Sequence, residues 1–216
     1  MRFETTLWTR IEALGAHEDD AQAAPFVERY RPALVAYLAR RGLSRADAED
    51  VAQEVFLRLF ARDLLARADR ERGRFRSYLL GIAHKVLLQR RERANALKRG
   101  GGQAPVPLED VAEPVAPAEA EAFQREWIHH LLERALSKLS VEHPLQHEVL
   151  RLRLREELNL SEIGARVGRT GAQVKTDHHR GKQRLARLIK DELKSYCSSH
   201  AEYVDELAAF ARWLGP

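Results

Sequence analysis

The stretch LSEIGARVGRTGAQVKTDHHRGKQRL, Leu160 to Leu185, decides how the chain is read. Ser161 is an N-cap residue type, and Ile163 and Val167 then recur at helical spacing. Gly168, Arg169 and Thr170 interrupt the pattern, and a second helix follows with Val174, Leu185 and Leu188 inward. From Arg169 to Lys190 there are seven Lys or Arg and two His against one acid, Asp177. Two helices joined by a short Gly-containing turn, the second of them basic, form a helix-turn-helix signature. The second helix of such a pair fits the DNA major groove, with early residues at base edges and later ones on phosphates. A charge run can equally be a solvated face, so the surrounding sequence has to decide.

Working outward, charge is sorted along the chain although the net charge is only +4. Segment 74–99 has eight Lys or Arg against Glu92, segment 103–126 has six acids against Arg125, and segment 169–190 is basic again. Pro105, Pro107, Pro114 and Pro117 follow the Gly100–Gly102 triplet, a composition that neither propagates helix nor builds a core, so residues 98–120 are expected to be a linker. No Gly-Lys-Ser/Thr follows the glycines, which favours a hinge over a phosphate cradle. The periodic stretches read as helix, with no convincing alternating strand. The expectation is an all-α chain of two small helical domains, 1–97 and 121–194, followed by an amphipathic tail, 195–216. In the tail, Tyr203, Leu207, Phe210, Ala211 and Leu214 make one face, expected to cap the second domain or, as the alternative, to serve as a regulatory docking segment.

In the first domain, PFVERYRPALVAYLARRG predicts a helix broken or restarted at Pro32 and closed by Gly42. In SRADAEDVAQEVFLRLF, Ser44 and Asp47 form a capping box. Ala48, Val51, Ala52, Val55, Phe56, Leu59 and Phe60 define the buried face. The opposite face carries Asp47, Asp50, Gln53, Glu54 and an outward Leu57, a candidate docking ridge. A later helix buries Phe75, Leu79, Ile82, Ala83, Val86 and Leu87. It shows Arg74, Arg76, Lys85, Gln89, Arg90 and Arg93, a set able to neutralise phosphates. Phe75 and Tyr78 are candidate stacking platforms, with Phe75 expected to be buried. In the second domain Phe123, Trp127, Leu131, Leu132, Leu136 and Leu139 stripe one helix, and another runs from about Pro144 to Glu157.

The 44% apolar content supports a packed core, and no apolar run reaches membrane length. The N-terminal MRFETTLWTRIEALG has no signal-type stretch, and the single Cys197 fits a reducing compartment, so a cytoplasmic protein is expected. His129/His130, His143/His147 and His178/His179 lack ligand-like spacing, and Cys197 lacks a base partner, so neither a metal nor an enzyme activity is expected.

Read together, SRADAEDVAQEVFLRLF, GRFRSYLLGIAHKVLLQRRER and LNLSEIGARVGRTGAQVKTDHHRGKQRL resemble regions two and four of the extracytoplasmic-function (ECF) sigma factors, over roughly residues 20–97 and 121–190. RERGRFRSYLL, ALKRGGG and EYVDEL resemble a subgroup common in planctomycete and myxobacterial genomes. The resemblance implies a sigma factor without catalytic chemistry or cofactor. Its partners would be promoter DNA and core RNA polymerase, through the β′ coiled coil and the β flap. An anti-sigma protein or another regulator is a further partner the family admits. The resemblance assigns Asp47, Asp50, Gln53, Glu54 and Leu57 to the polymerase. It assigns Arg74, Arg76, Tyr78, Lys85, Gln89, Arg90 and Arg93 to the −10 element. Arg169, Thr170, Gln173, Lys175, Thr176, His179, Arg180, Lys182 and Arg184 go to the −35 element, and the acidic linker to the RNA exit channel. Asp177, His178 and Lys85 depart from the family pattern. Either Asp177 faces away from the groove or the −35 preference is unusual. The competing reading is an autonomous helix-turn-helix regulator that binds duplex DNA without polymerase. It accounts for the basic helix near the C-terminus but not for the acidic and basic helices of the first domain.

Overall fold

The computed structural model describes residues 23–61, 64, 75–98, 115–197 and 199–214. Among these it is all-α, with no strand: α1 (Ala23–Arg40), α2 (Arg45–Ala61), α3 (Phe75–Lys98), α4 (Pro117–Glu142), α5 (Pro144–Arg155), α6 (Leu160–Val167), α7 (Gly171–Tyr196) and α8 (His200–Leu214). The chain separates into two compact units, and the division falls between Trp127 and Ile128, inside α4.

The first unit holds α1 to α3 and the first turns of α4. Its core takes Phe26, Leu34 and Leu38 from α1, Val51, Val55 and Leu59 from α2, and Leu79, Ile82 and Val86 from α3, each buried. Phe75 is buried as expected, in edge or tilted contact with Phe26 and Tyr30, both at 5.2 Å between ring centroids. α1 does not break at Pro32. The helix runs through it, because Pro32 is exposed and the carbonyl it leaves unbonded, that of Glu28, belongs to another exposed residue that water can serve. Gly42, at φ +91°, ends the helix as a left-handed cap. Ser44 caps α2 in a variant of the expected box: its Oγ accepts from the Asp47 amide at 3.1 Å and donates to the Asp47 carboxylate at 2.6 Å.

α4 begins at Pro117, so residues 117–120, expected in the linker, are helical. Proline fits a first turn, where its missing N–H has no partner to lose. Residues 99–114 of the linker lie outside the described residues.

In the second unit, Val149, Leu152, Ile163 and Val174 form a core cluster, flanked by Leu145, Leu158, Leu160 and Val167. α5 ends at Arg155, two residues short of the expected Glu157. The N-cap of α6 is Asn159 rather than Ser161. Its side chain accepts from the amides of Ser161 and Glu162 while Glu162 bonds back to the Asn159 amide, a complete capping box. Gly168, at φ +67°, closes α6, and Thr170 opens α7 with a second box through Gln173. The turn between them is tight enough that a side chain at Gly164 would collide with the Arg169 carbonyl oxygen. α8 packs on α7, with Phe210 and Glu206 buried.

Candidate polymerase and nucleic-acid interfaces

Three surfaces collect the candidate residues expected from the sequence. The first is the outer face of α2. Its spacing of three and four puts Val51, Val55 and Leu59 inward and leaves Asp47, Asp50 and Gln53 exposed. Leu57 is 61% exposed, one of several large apolar side chains open to solvent, Val141 and Leu154 among them. Glu54 is different. It lies half-buried between Arg58, with which it forms an ion pair, and Arg90, whose Nε is 2.7 Å from Oε2. Burial pushes the Glu54 carboxyl up, but hydrogen bonds and charge from Arg90 and Arg58 outweigh it and leave the pKa lowered. Glu54 therefore joins α2 to α3 as well as facing the ridge.

The second surface is α3, and only part of it is open. Arg76 is 8% exposed and its guanidinium carbon sits 4.5 Å from the Trp127 ring centroid. Gln89 is buried and accepts from Arg58 at 2.6 Å. Arg76 and Gln89 thus leave the accessible set, for a reason helical periodicity could not supply: each is engaged by a residue far away in sequence. Tyr78 is half-buried and donates to the Leu64 carbonyl at 2.6 Å, which ties its hydroxyl to the protein. Arg90 is held by Glu54 and donates to the Asp50 carbonyl at 3.3 Å. Lys85 is half-buried, while Arg91 and Arg93 are exposed near the end of the helix. Arg91 is an addition to the set expected from sequence, and it extends the same cationic run. Arg74 lies outside the described residues.

The third surface is the α6–turn–α7 pair. Arg169, Lys175, His179, Arg180 and Lys182 are exposed along one side of α7 and its lead-in. Thr170 and Gln173 are exposed but spend side-chain atoms on the capping box. Thr176 donates to the Ala172 carbonyl. Arg184 is half-buried and bonds Gln146 of α5. Asp177 resolves one of the two sequence alternatives. It is 8% exposed, on the inward face that carries Val174 and Gly181, so it turns away from the cationic side. His178 is half-buried, and its pKa is lowered first by burial and then by the charges of Lys182 and Arg153.

No described helix is long and apolar enough to cross a membrane. No curated protein and no solved structure matches the chain. Residues 26–96, which span α1 to α3, match the family model for sigma-70 region 2. Over these residues the chain is similar to sigma-70 region 2, which supports a sigma-70 family sigma factor with a role in RNA polymerase-directed transcription.

Proposed function

We propose that the chain is a cytoplasmic ECF sigma factor that binds core RNA polymerase and directs it to promoters through −10 and −35 contacts. One observation carries this reading: a region 2 domain with an exposed acidic ridge is followed, in the same chain, by a box-capped helix-turn-helix with a cationic outer side. The ridge of Asp47, Asp50 and Gln53 suits an Arg-rich partner such as the β′ coiled coil, with Leu57 packing into the contact. Charge-assisted hydrogen bonds give orientation there, and the buried Leu adds apolar area. The β flap is the partner we assign to the second unit.

On DNA, Lys85, Arg90, Arg91 and Arg93 of α3 would neutralise phosphates of the −10 strand. Lys175, His179, Arg180 and Lys182 of α7 would do so at the −35 duplex, with Gln173 and Thr176 nearest the base edges. Because Asp177 faces inward, it places no carboxylate against the phosphates.

A run-off assay with purified core polymerase tests the proposal. Promoter-dependent transcripts should appear only when the chain is added. Tight, specific duplex binding by the chain alone, with no effect on the polymerase, would instead identify an autonomous regulator.

A further inference from the structure

The first turns of α4, Pro117 to Trp127, belong to the same unit as α1 to α3 and lie against a surface those helices supply. Trp127 is 1% exposed and stacks on the Arg76 guanidinium. Glu126 is 4% exposed and meets Arg40 Nε at 2.7 Å. Glu119 forms an ion pair with Arg41 and accepts from the Tyr37 phenol. The same phenol oxygen is 2.8 Å from His84 Nε2. Phe123 sets its ring edge-on to Tyr37 at 5.6 Å. Residues 119, 123, 126 and 127 are spaced to share one helix face, which here bears two carboxylates and two rings.

The surface beneath it is Tyr37, Arg76 and His84, with Tyr37 and Arg76 buried, and Arg40 and Arg41 line its exposed edge, Arg40 with 68% of its side chain open to solvent: three guanidiniums interleaved with two rings. That is the chemistry by which proteins hold single-stranded nucleic acid, cations on phosphates and planar groups on bases. The covering segment presents the same chemical shapes in place of a strand, with carboxylates where phosphates would sit and an indole where a base would stack. Arg76 also lies on α3, the helix that the proposed function sets against the −10 strand. We propose that residues 117–127 are an autoinhibitory lid, which competes with single-stranded DNA for this surface. The lid rests on the proposed function for the identity of its competitor. An intramolecular competitor lowers apparent affinity in proportion to the fraction of closed molecules.

The test uses the full chain with Trp8→Phe and Trp213→Phe, so that Trp127 is the one remaining indole. The probe is a short labelled single-stranded DNA, and both its anisotropy and the Trp127 emission are followed. Saturation should red-shift Trp127 as the ring leaves its pocket. Glu126→Ala and the double variant Glu119→Ala/Glu126→Ala should bind about tenfold more tightly or better. Adding Arg76→Ala to the double variant should cancel that gain. The acid-to-Ala changes leave the indole in place, and circular dichroism checks that each variant folds.

Equal affinity of the parent and the double variant overturns the lid. So does binding with an unmoved Trp127 spectrum, or an absence of binding by every variant. If the run-off assay succeeds and these variants bind no better, the lid alone falls. A gain in these variants together with a failed run-off assay would keep the lid and reject the polymerase reading.

Discussion

Arg90 of α3 donates from Nε to Oε2 of Glu54 on α2 at 2.7 Å, and so joins a residue expected at the polymerase to one expected at the DNA. The two assignments are thus not independent at the level of side chains. A cationic partner arriving on the α2 ridge would share the carboxylate that now holds Arg90. Asp50 and Glu54, equivalent by helical spacing, should therefore respond differently to mutation.

Asp50 is exposed, and its side chain carries no ion pair or hydrogen bond among those described. Asp50→Arg should leave the melting temperature unchanged within about 1 °C, the scale of a surface substitution worth a few tenths of a kcal/mol. It should also weaken co-purification with core polymerase. Glu54→Arg should lower polymerase binding and stability together, the latter by about 1–3 kcal/mol, since two guanidiniums lose their shared acceptor. Because the folded Glu54 pKa is lowered, its contribution is present above the ordinary carboxylate range and is lost as pH falls through the folded value. The stability gap between wild type and Glu54→Gln should therefore be present at neutral pH and close in acid. Identical polymerase binding by Asp50→Arg and wild type would remove the ridge from the proposed interface.

On α7, Lys175→Ala and Arg180→Ala should each weaken duplex binding and reduce the slope of log affinity against log salt by roughly 0.9 for each phosphate that is no longer neutralised. Asp177→Ala should leave that slope alone, because the carboxylate faces inward. A carboxylate at the groove would behave oppositely, and its removal would raise affinity at low salt. Fluorescence anisotropy across a salt series separates the two cases.

That Asp177 points inward could be suspected from sequence, since it falls three residues after Val174 and four before Gly181. Choosing between that and an unusual readout required the packing of α7. Elsewhere the legible features were the local ones. The buried faces of α2 and α3 follow from apolar spacing, and the Thr170 cap and Gly168 stop follow from the chemistry of the turn. The N-cap of α6 was legible too, in the Asn159-x-x-Glu162 spacing, but Ser161 offered a competing cap of similar quality. Burial of Arg76 and Gln89 was not legible. Trp127 is remote in sequence from Arg76, and Arg58 from Gln89, so a one-helix pattern shows both residues on a polar face. The helical start at Pro117 was hidden by the prolines before it, although a proline can open a helix as readily as bar one.

Gly164 should be the most sensitive position in the helix-turn-helix. A Cβ there would strike the Arg169 carbonyl oxygen, a backbone atom that moves only if the turn opens. Gly164→Ala is expected to cost about 1–3 kcal/mol, as overpacking does, and to weaken duplex binding because α7 is re-aimed. Gly168→Ala meets no atom but sits at φ +67°, so its cost should be roughly 1 kcal/mol, with little change in DNA affinity at temperatures where the unit is folded. Denaturant melts paired with anisotropy would show the contrast. Equal effects of the two substitutions on DNA binding would mean that the turn does not aim α7.

Glu192 should govern the acid stability of the second unit. Its side chain is 2% exposed on α7 and meets two cations of α4, Arg134 Nε at 3.1 Å and the Lys138 ammonium. Burial raises its pKa, but the hydrogen bond from Lys138 and the charges of Arg134 and Lys138 overcome this and leave it lowered. Glu192→Gln keeps the shape and one acceptor while deleting the charge. It should destabilise the unit by about 1–3 kcal/mol at neutral pH, the range for hydrogen bonds to charged groups. Glu192→Ala should cost more, since it also leaves a void. With a depressed folded pKa, the Glu192 contribution holds above the carboxylate range and vanishes as pH falls through the folded value. Melts of wild type and Glu192→Gln should therefore converge in acid. A Glu192→Gln protein as stable as wild type at neutral pH would show that the buried ion cluster contributes no net stability, its desolvation cancelling its attraction.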